Sequence, residues 1–203
     1  MNTKLTTIIF AGLLLSTQSF ANSPEQITIT DFKYNGSGCP LGSSDVNLSE
    51  DRVSSFSMDF YDYWAEVGPN ISRRDSRKNC FLSISLDIPA GWTLAVGSIR
   101  YRGALDLEKG VEATQKSTYF FQGRSEQLSL ESTFEGKRKG SFDITDIAAG
   151  HVWSPCEQNV TLNINSQVRL NNRDNPQNSG EIGLDSIDGM IHSFNLIWKR
   201  CQQ

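Results

Sequence analysis

Histidine is nearly absent from this chain: His151 and His192 are the only two in 203 residues. No H-E-x-x-H pair is available to hold a catalytic zinc, and no G-x-S-x-G elbow to raise a serine nucleophile. No two cysteines lie near enough in sequence to make the C-x-x-C half of a zinc site. The sequence therefore predicts no catalytic residue, no metal-ligand set and no cofactor. Positive charge is also short. The 19 Lys and Arg against 23 Asp and Glu give a net charge of −4, a poor match to non-specific nucleic-acid binding. Beyond residue 21 no apolar run approaches the roughly 20 residues of a membrane-spanning helix. No internal repeat, low-complexity tract or Pro/Ser linker marks a domain boundary.

An export signal is present. Met1–Ala21 carries one early charge, Lys4, then an apolar run from Leu5 to Leu15, and closes on Ser19-Phe20-Ala21. Small residues stand at the two places a signal peptidase inspects, and the run is too short to cross a bilayer. Cleavage is predicted after Ala21. No cysteine follows in a lipid-attachment position, so the expected product is soluble and secreted or periplasmic. Loss of Lys4 takes the charge from −4 to −5. The remaining chain of about 180 residues fits one domain, 22–203, able to bury roughly 70% of its unfolded surface.

The dominant period is two. Phe56, Met58 and Phe60 alternate with polar neighbours. So do Cys80, Leu82, Ile84, Leu86 and Ile88, then Leu162, Ile164, Val168 and Leu170, then His192, Phe194, Leu196 and Trp198. Each series is the mark of a strand with one buried face. Ile27–Tyr34, Trp92–Leu107, Thr114–Gln122 and Gln127–Phe134 read as further strands. Turn formers separate them at Asn35–Gly38, Pro89–Gly91, Glu108–Gly110 and Asp188-Gly189. No stretch sustains a helical period. The expected fold is all-β, a two-sheet antiparallel sandwich of jelly-roll type, with a closed barrel as its rival.

Export makes Cys39, Cys80, Cys156 and Cys201 expected disulfide partners. Four cysteines allow three pairings. Cys39–Cys80 and Cys156–Cys201 are favoured because each ties an irregular segment to a strand. Loops of this size give roughly 4 kcal/mol per bridge in the chain-entropy model.

Several strings then form a recognisable series: Tyr34-Asn35-Gly36-Ser37-Gly38-Cys39-Pro40, Arg77-Lys78-Asn79-Cys80, Tyr101-Arg102-Gly103, Trp153-Ser154-Pro155-Cys156 and Asp185-Ser186-Ile187-Asp188-Gly189. In this order the chain resembles a family of small secreted bacterial and fungal proteins, domain of unknown function 4360. The resemblance covers nearly the whole exported chain. It implies export, four paired cysteines and one domain, and it implies no activity.

Other constellations have plain readings. His192 falls on the apolar face of the last strand and reads as a core or rim residue. His151, beside Trp153, could act as an acid/base only with a nearby carboxylate. Asp185 and Asp188 with the Asn171–Gly180 loop offer oxygens for calcium, but Asp-Gly is ordinary hairpin chemistry. Glu131 and Glu135 would stand roughly 13 Å apart on a strand, too far for a glycosidase pair. Asn35, Asn47, Asn70 and Asn159 begin N-x-S/T strings, relevant only in a eukaryotic secretory pathway. Trp64, Trp92, Trp153 and Trp198 with five tyrosines could form a sugar-stacking platform, but a sandwich places most of them in its core. Trp198 is expected in the core, whereas Trp92 and Trp153 lie beside turns.

The polar loop Gly68–Asn79, where Arg73, Arg74, Arg77 and Lys78 face only Asp75, reads first as solvated surface; the alternative carried forward is a partner surface with Trp92 as a neighbour. Such a cluster suits an anionic partner. The function expected is a secreted, non-enzymatic module that binds a glycan or a protein outside the cytoplasm. The alternatives are a hydrolase of an extracellular polymer, with carboxylates brought together by the fold, and an inhibitor or effector.

Overall fold

The alternating segments form strands whose apolar faces meet between two sheets. The computed structural model describes residues 23–184 and 191–202, without the side chains of Ile191 and His192. The signal segment, Asp185, Asp188 and the His192 side chain lie outside the described residues. One sheet has five antiparallel strands in the order β1 (Thr28–Asn35), β5 (Arg77–Asp87), β10 (Asn159–Asn171), β7 (Glu112–Phe121), β8 (Leu128–Glu135). The other has the order β2 (Ser44–Leu48), β3 (Ser55–Phe60), β12 (Ile191–Arg200), β6 (Trp92–Leu107), β11 (Gly180–Gly183), β4 (Trp64–Val67), and β9 (Arg138–Ile147) pairs with β6. No ladder joins the two sheets among the described residues, so the sandwich stands and the closed barrel does not. No helix occurs there either, hence none long and apolar enough to cross a membrane.

The core follows the alternation. Phe56, Met58 and Phe60 of β3 and Cys80, Leu82, Ile84, Leu86 and Ile88 of the β5 segment are all buried. They join Leu162, Ile164, Val168 and Leu170 of β10 and Phe194 of β12 in one hydrophobic cluster. Burying this apolar surface is the main drive to fold. The cluster also encloses polar groups, among them two tyrosine hydroxyls with partners. The Tyr63 hydroxyl lies 3.3 Å from Ser166 Oγ, and the Tyr119 hydroxyl donates to the Val96 carbonyl at 3.1 Å. Burial pushes the Tyr63 phenol up and that of Tyr119 up to about 12, since a buried phenolate would lose its hydration.

The disulfides are Cys39–Cys80 and Cys156–Cys201, with Cα atoms 5.5 and 5.9 Å apart. The first is buried; Cys156 of the second is exposed.

β2, β4, β9 and β11 are strands that the alternation did not mark. The basic loop is also shorter than the sequence suggests. Arg77, Lys78 and Asn79 belong to β5, because Arg169, Val168 and Gln167 of β10 pair with them. The chain leaves β4 at Val67 and enters β5 at Arg77, crossing from one sheet to the other. It leaves β10 at Asn171 and enters β11 at Gly180, crossing back. β4 pairs with β11 (Val67 with Gly180) and β5 with β10 (Arg77 with Arg169). The two crossovers therefore run side by side at one end of the sandwich.

Candidate functional site

Between the twin crossovers lies a cleft of about 600 Å³, lined on one side by Ile71, Ser72 and Arg73 and on the other by Arg169, Asn172 and Arg173. Three arginines line it, and no Asp or Glu is among the lining residues. Arg169 closes the strand side, because outward parity at the end of β10 places it opposite Arg77. No ion pair engages Arg73, Arg77, Arg169 or Arg173 among the described residues. Directly opposed like charges are destabilising in a sheet, so the Arg77–Arg169 pairing adds nothing to the fold.

The crossover walls are held by hydrogen bonds. Asn70 starts the tip in a left-handed conformation (φ 69°), which Asn tolerates. Backbone N–H groups of Ile71 and Asp75 donate to the Gly68 and Ser72 carbonyls at 3.2 and 2.9 Å. The second crossover is braced too. The Asn172 amide donates to the Asn178 carbonyl at 3.0 Å, and the Asn178 amide to the Lys109 carbonyl at 2.7 Å. The polar 171–180 segment is thus a fastened wall rather than merely a solvated loop.

The four expected basic residues separate. Arg73 lines the cleft, Arg74 is exposed beside it, and Arg77 stands on the outer face of the five-stranded sheet. Lys78 has inward parity at the strand end, and its ammonium turns to Asp75 at 2.9 Å. Trp92 needs correction. It is only 5% exposed, at the opposite end of β6 from Leu107, where β11 and β4 carry the crossovers. Its ring is covered by the Arg200 guanidinium, 3.9 Å from the centroid. The sixteen-residue strand β6 separates it from Arg73, so it cannot neighbour the basic loop.

The other tryptophans do not make a platform. Trp153 is half-buried under Lys199, with exposed His151 6.0 Å away ring to ring. Trp198 is half-buried at the core rim, donating to the Val53 carbonyl at 3.0 Å. Trp64 packs over Gly183, where a Cβ would run into its ring. Glu131 is paired with Lys116 at 3.0 Å. Asn35, Asn47, Asn70 and Asn159 are all exposed.

The fold also gathers carboxylates that the sequence left apart. Glu66, Glu181 and Asp106 align across β4, β11 and β6 and line a hollow of about 400 Å³ beyond Val67 and Ile71, with Lys139 ion-paired to Asp106. Asp45 and Asp59 face each other across β2 and β3. The Tyr61 hydroxyl donates to Asp45 at 2.9 Å and the Asn47 amide to Asp59 at 3.1 Å. Burial raises the Asp59 carboxyl above its ordinary value; the Asn47 bond opposes this and the Asp45 charge adds to it.

Arg169 and Arg173 are the site residues that sequence reasoning missed. Arg169 showed only as a polar alternate in a strand, and nothing local joins it to Arg73.

A relative from Arthroderma benhamiae described as an uncharacterized secreted protein is 40% identical over 184 residues, spanning 89% of this chain and 74% of that protein. Two solved structures share 12–13% identity with this chain. TmCBM61 in complex with beta-1,4-galactotriose matches 85% of this chain and 90% of its own at a TM-score of 0.27. The enzymatically active domain of bacteriophage CBA120 tailspike protein 4 matches 90% of this chain but 21% of its own at 0.25. Scores of this size establish neither a common fold nor a common ligand. The family model for the domain of unknown function DUF4360 matches residues 25–201, and the chain belongs to that family.

Proposed function

We propose that this protein is an exported, non-enzymatic β-sandwich module of one domain that binds an anionic polymer outside the cytoplasm through the cleft between its crossovers. The carrying observation is that Arg73, Arg169 and Arg173 line one cleft without a carboxylate. Guanidinium groups suit carboxylate, sulfate and phosphate because their donors match two acceptor oxygens at once. Walls already braced in the free protein reduce the ordering cost of binding. Export is supported by the Met1–Ala21 segment, by paired cysteines and by the secreted relative.

The test is equilibrium binding of the mature protein to polygalacturonate, heparin and polyphosphate. The Arg73→Ala/Arg169→Ala double variant is expected to bind its best polymer about 10–100-fold more weakly, at roughly 0.7–1.4 kcal/mol for each of the two contacts removed. Binding by the native protein should fall as salt rises, because exposed charges are screened within about 8–10 Å. Salt-insensitive binding retained in the double variant would remove the cleft from the account.

The Asp45–Asp59 pair favours one second reading, polymer hydrolysis. Opposed residues on neighbouring strands have Cβ atoms about 5 Å apart, and unequal surroundings are how paired carboxyls divide acid and base roles. On that reading the native protein releases reducing ends from polygalacturonate and Asp59→Asn does not. No release by the native protein ends it.

A further inference from the structure

On the outer face of the five-stranded sheet, β5 and β10 continue the arginine cleft with uncharged residues, flanked by the ion-paired Lys116 of β7 and Lys33 of β1. Arg77 and Arg169 form its first cross-strand pair on β5 and β10. The next outward pairs are Asn79 with Gln167, Phe81 with Asn165, and Ser83 with Asn163. At about 6.7 Å per outward step, these three pairs run roughly 20 Å from the arginines. No charge occurs on β5 or β10 in this stretch.

Two features of the strip have no explanation in the fold. Asn is depleted in strands, where β-branched and aromatic residues pack better. Yet β10, at the centre of its sheet, places Asn163, Asn165 and Gln167 in succession on its outward side, Asn163 buried there at 8% exposure, Gln167 half-buried and Asn165 exposed. Among the described residues no side-chain hydrogen bond engages these three amides. Phe81 breaks the polar pattern in the other direction, since its ring stands outward at 41% exposure. Phe120 of β7, opposite Asn163, is a second outward ring, half-exposed. The two rings lie on either side of β10, roughly 12 Å apart by strand spacing.

This chemistry selects among anionic polymers. Amides both donate and accept, which hydroxyl groups require. Aromatic rings offer apolar faces to C–H surfaces. Polyphosphate has neither hydroxyl groups nor a C–H face; a chain of sugar acids has both, with carboxylates for the arginines. We infer that the polymer held by the arginine cleft is an acidic polysaccharide, and that it runs on from Arg77 and Arg169 along β5 and β10, over Asn79, Phe81, Asn165 and Gln167. The inference rests on the cleft being the anion site.

The test uses the mature protein with polygalacturonate, galacturonate monomer, polyphosphate and neutral dextran. It compares Phe81→Ala, Asn165→Ala/Gln167→Ala and Arg73→Ala/Arg169→Ala. The altered side chains are solvent-facing, and thermal unfolding checks that each variant folds. Polygalacturonate binding is expected to weaken about tenfold in each sheet variant, with the weak binding of the monomer unchanged in both. Polyphosphate should bind more weakly than polygalacturonate and show no dependence on Phe81. If the sheet variants keep native affinity while the arginine variant loses it, the strip has no role and the cleft alone stands. If the sheet variants lose affinity and the arginine variant keeps it, the cleft proposal fails instead. Dextran bound as tightly as polygalacturonate would refute the acidic character of the ligand.

Discussion

Replacing Cys39 and Cys80 together by alanine is expected to lower the unfolding free energy by about 4 kcal/mol. The bridge spans 41 residues, and a cross-link closing a loop of that length removes about 4 kcal/mol of unfolded-chain entropy in the loop-closure model. Small domains have only about 5–15 kcal/mol to lose. Cys156–Cys201 closes a similar separation of 45 residues, so loop entropy alone would rank the two alike. Their surroundings do not. Cys39 and Cys80 are fully buried, Cys80 in β5 and Cys39 in a turn seated on that strand by the Gly38 N–H, which donates to the Asn79 carbonyl at 2.9 Å. A Cβ at Gly36 would meet the Asn79 backbone, and one at Gly38 the Tyr63 ring. Cys156 is exposed and Cys201 half-buried, so a thiolate can reach this bridge in the folded protein. Mild reduction followed by alkylation and peptide mapping should label Cys156 and Cys201 first. Cys39 and Cys80 should be labelled only on unfolding. Denaturant titration of the alanine pair measures the 4 kcal/mol; a loss below about 1 kcal/mol would contradict the seating of that turn.

The parts of this fold that alternate over many residues are legible in the amino-acid sequence alone. β3, β5, β10 and β12 each bury a regular series, and a one-residue slip would expose it. The four unmarked strands lack that length or contrast. β4 and β11 have four residues each, and β11 begins and ends in glycine. β9 carries Arg138, Lys139 and Asp143 and buries only Phe142 along its length. β2 is a five-residue strand at the edge of its sheet. Such strands are specified by the ladders they join rather than by their own pattern. The cleft is half legible. A run of cations with one aspartate marks Arg73, but Arg169 meets it only because β5 pairs with β10 while β4 pairs with β11. Trp92 misleads because proximity to a turn suggests exposure, whereas its ring lies beneath Arg200.

Phe194→Ala is expected to cost about 3–5 kcal/mol, the usual range for truncating a buried Phe. Phe194 sits in β12 between Phe56 of β3 and Ile99 of β6, and all three are fully buried. The Phe56 and Phe194 rings stack with centroids 4.6 Å apart and planes 8° from parallel. Truncation removes the transfer energy of one ring and leaves a space that β12, paired on both edges, cannot close by shifting. Phe56 also loses a partner, which aromatic pairs value at about 0.5–1.5 kcal/mol beyond area. The Phe56→Leu and Phe194→Leu double-mutant cycle isolates that share, since leucine keeps most of the volume. Phe81→Ala is the contrast: the same chemical change on the outer face of the other sheet should alter stability by no more than about 0.5 kcal/mol. The two phenylalanines thus separate the core from the proposed sugar-binding strip. Equal costs at both positions would mean that Phe81 supports the fold, and its outward ring would then need no ligand to explain it.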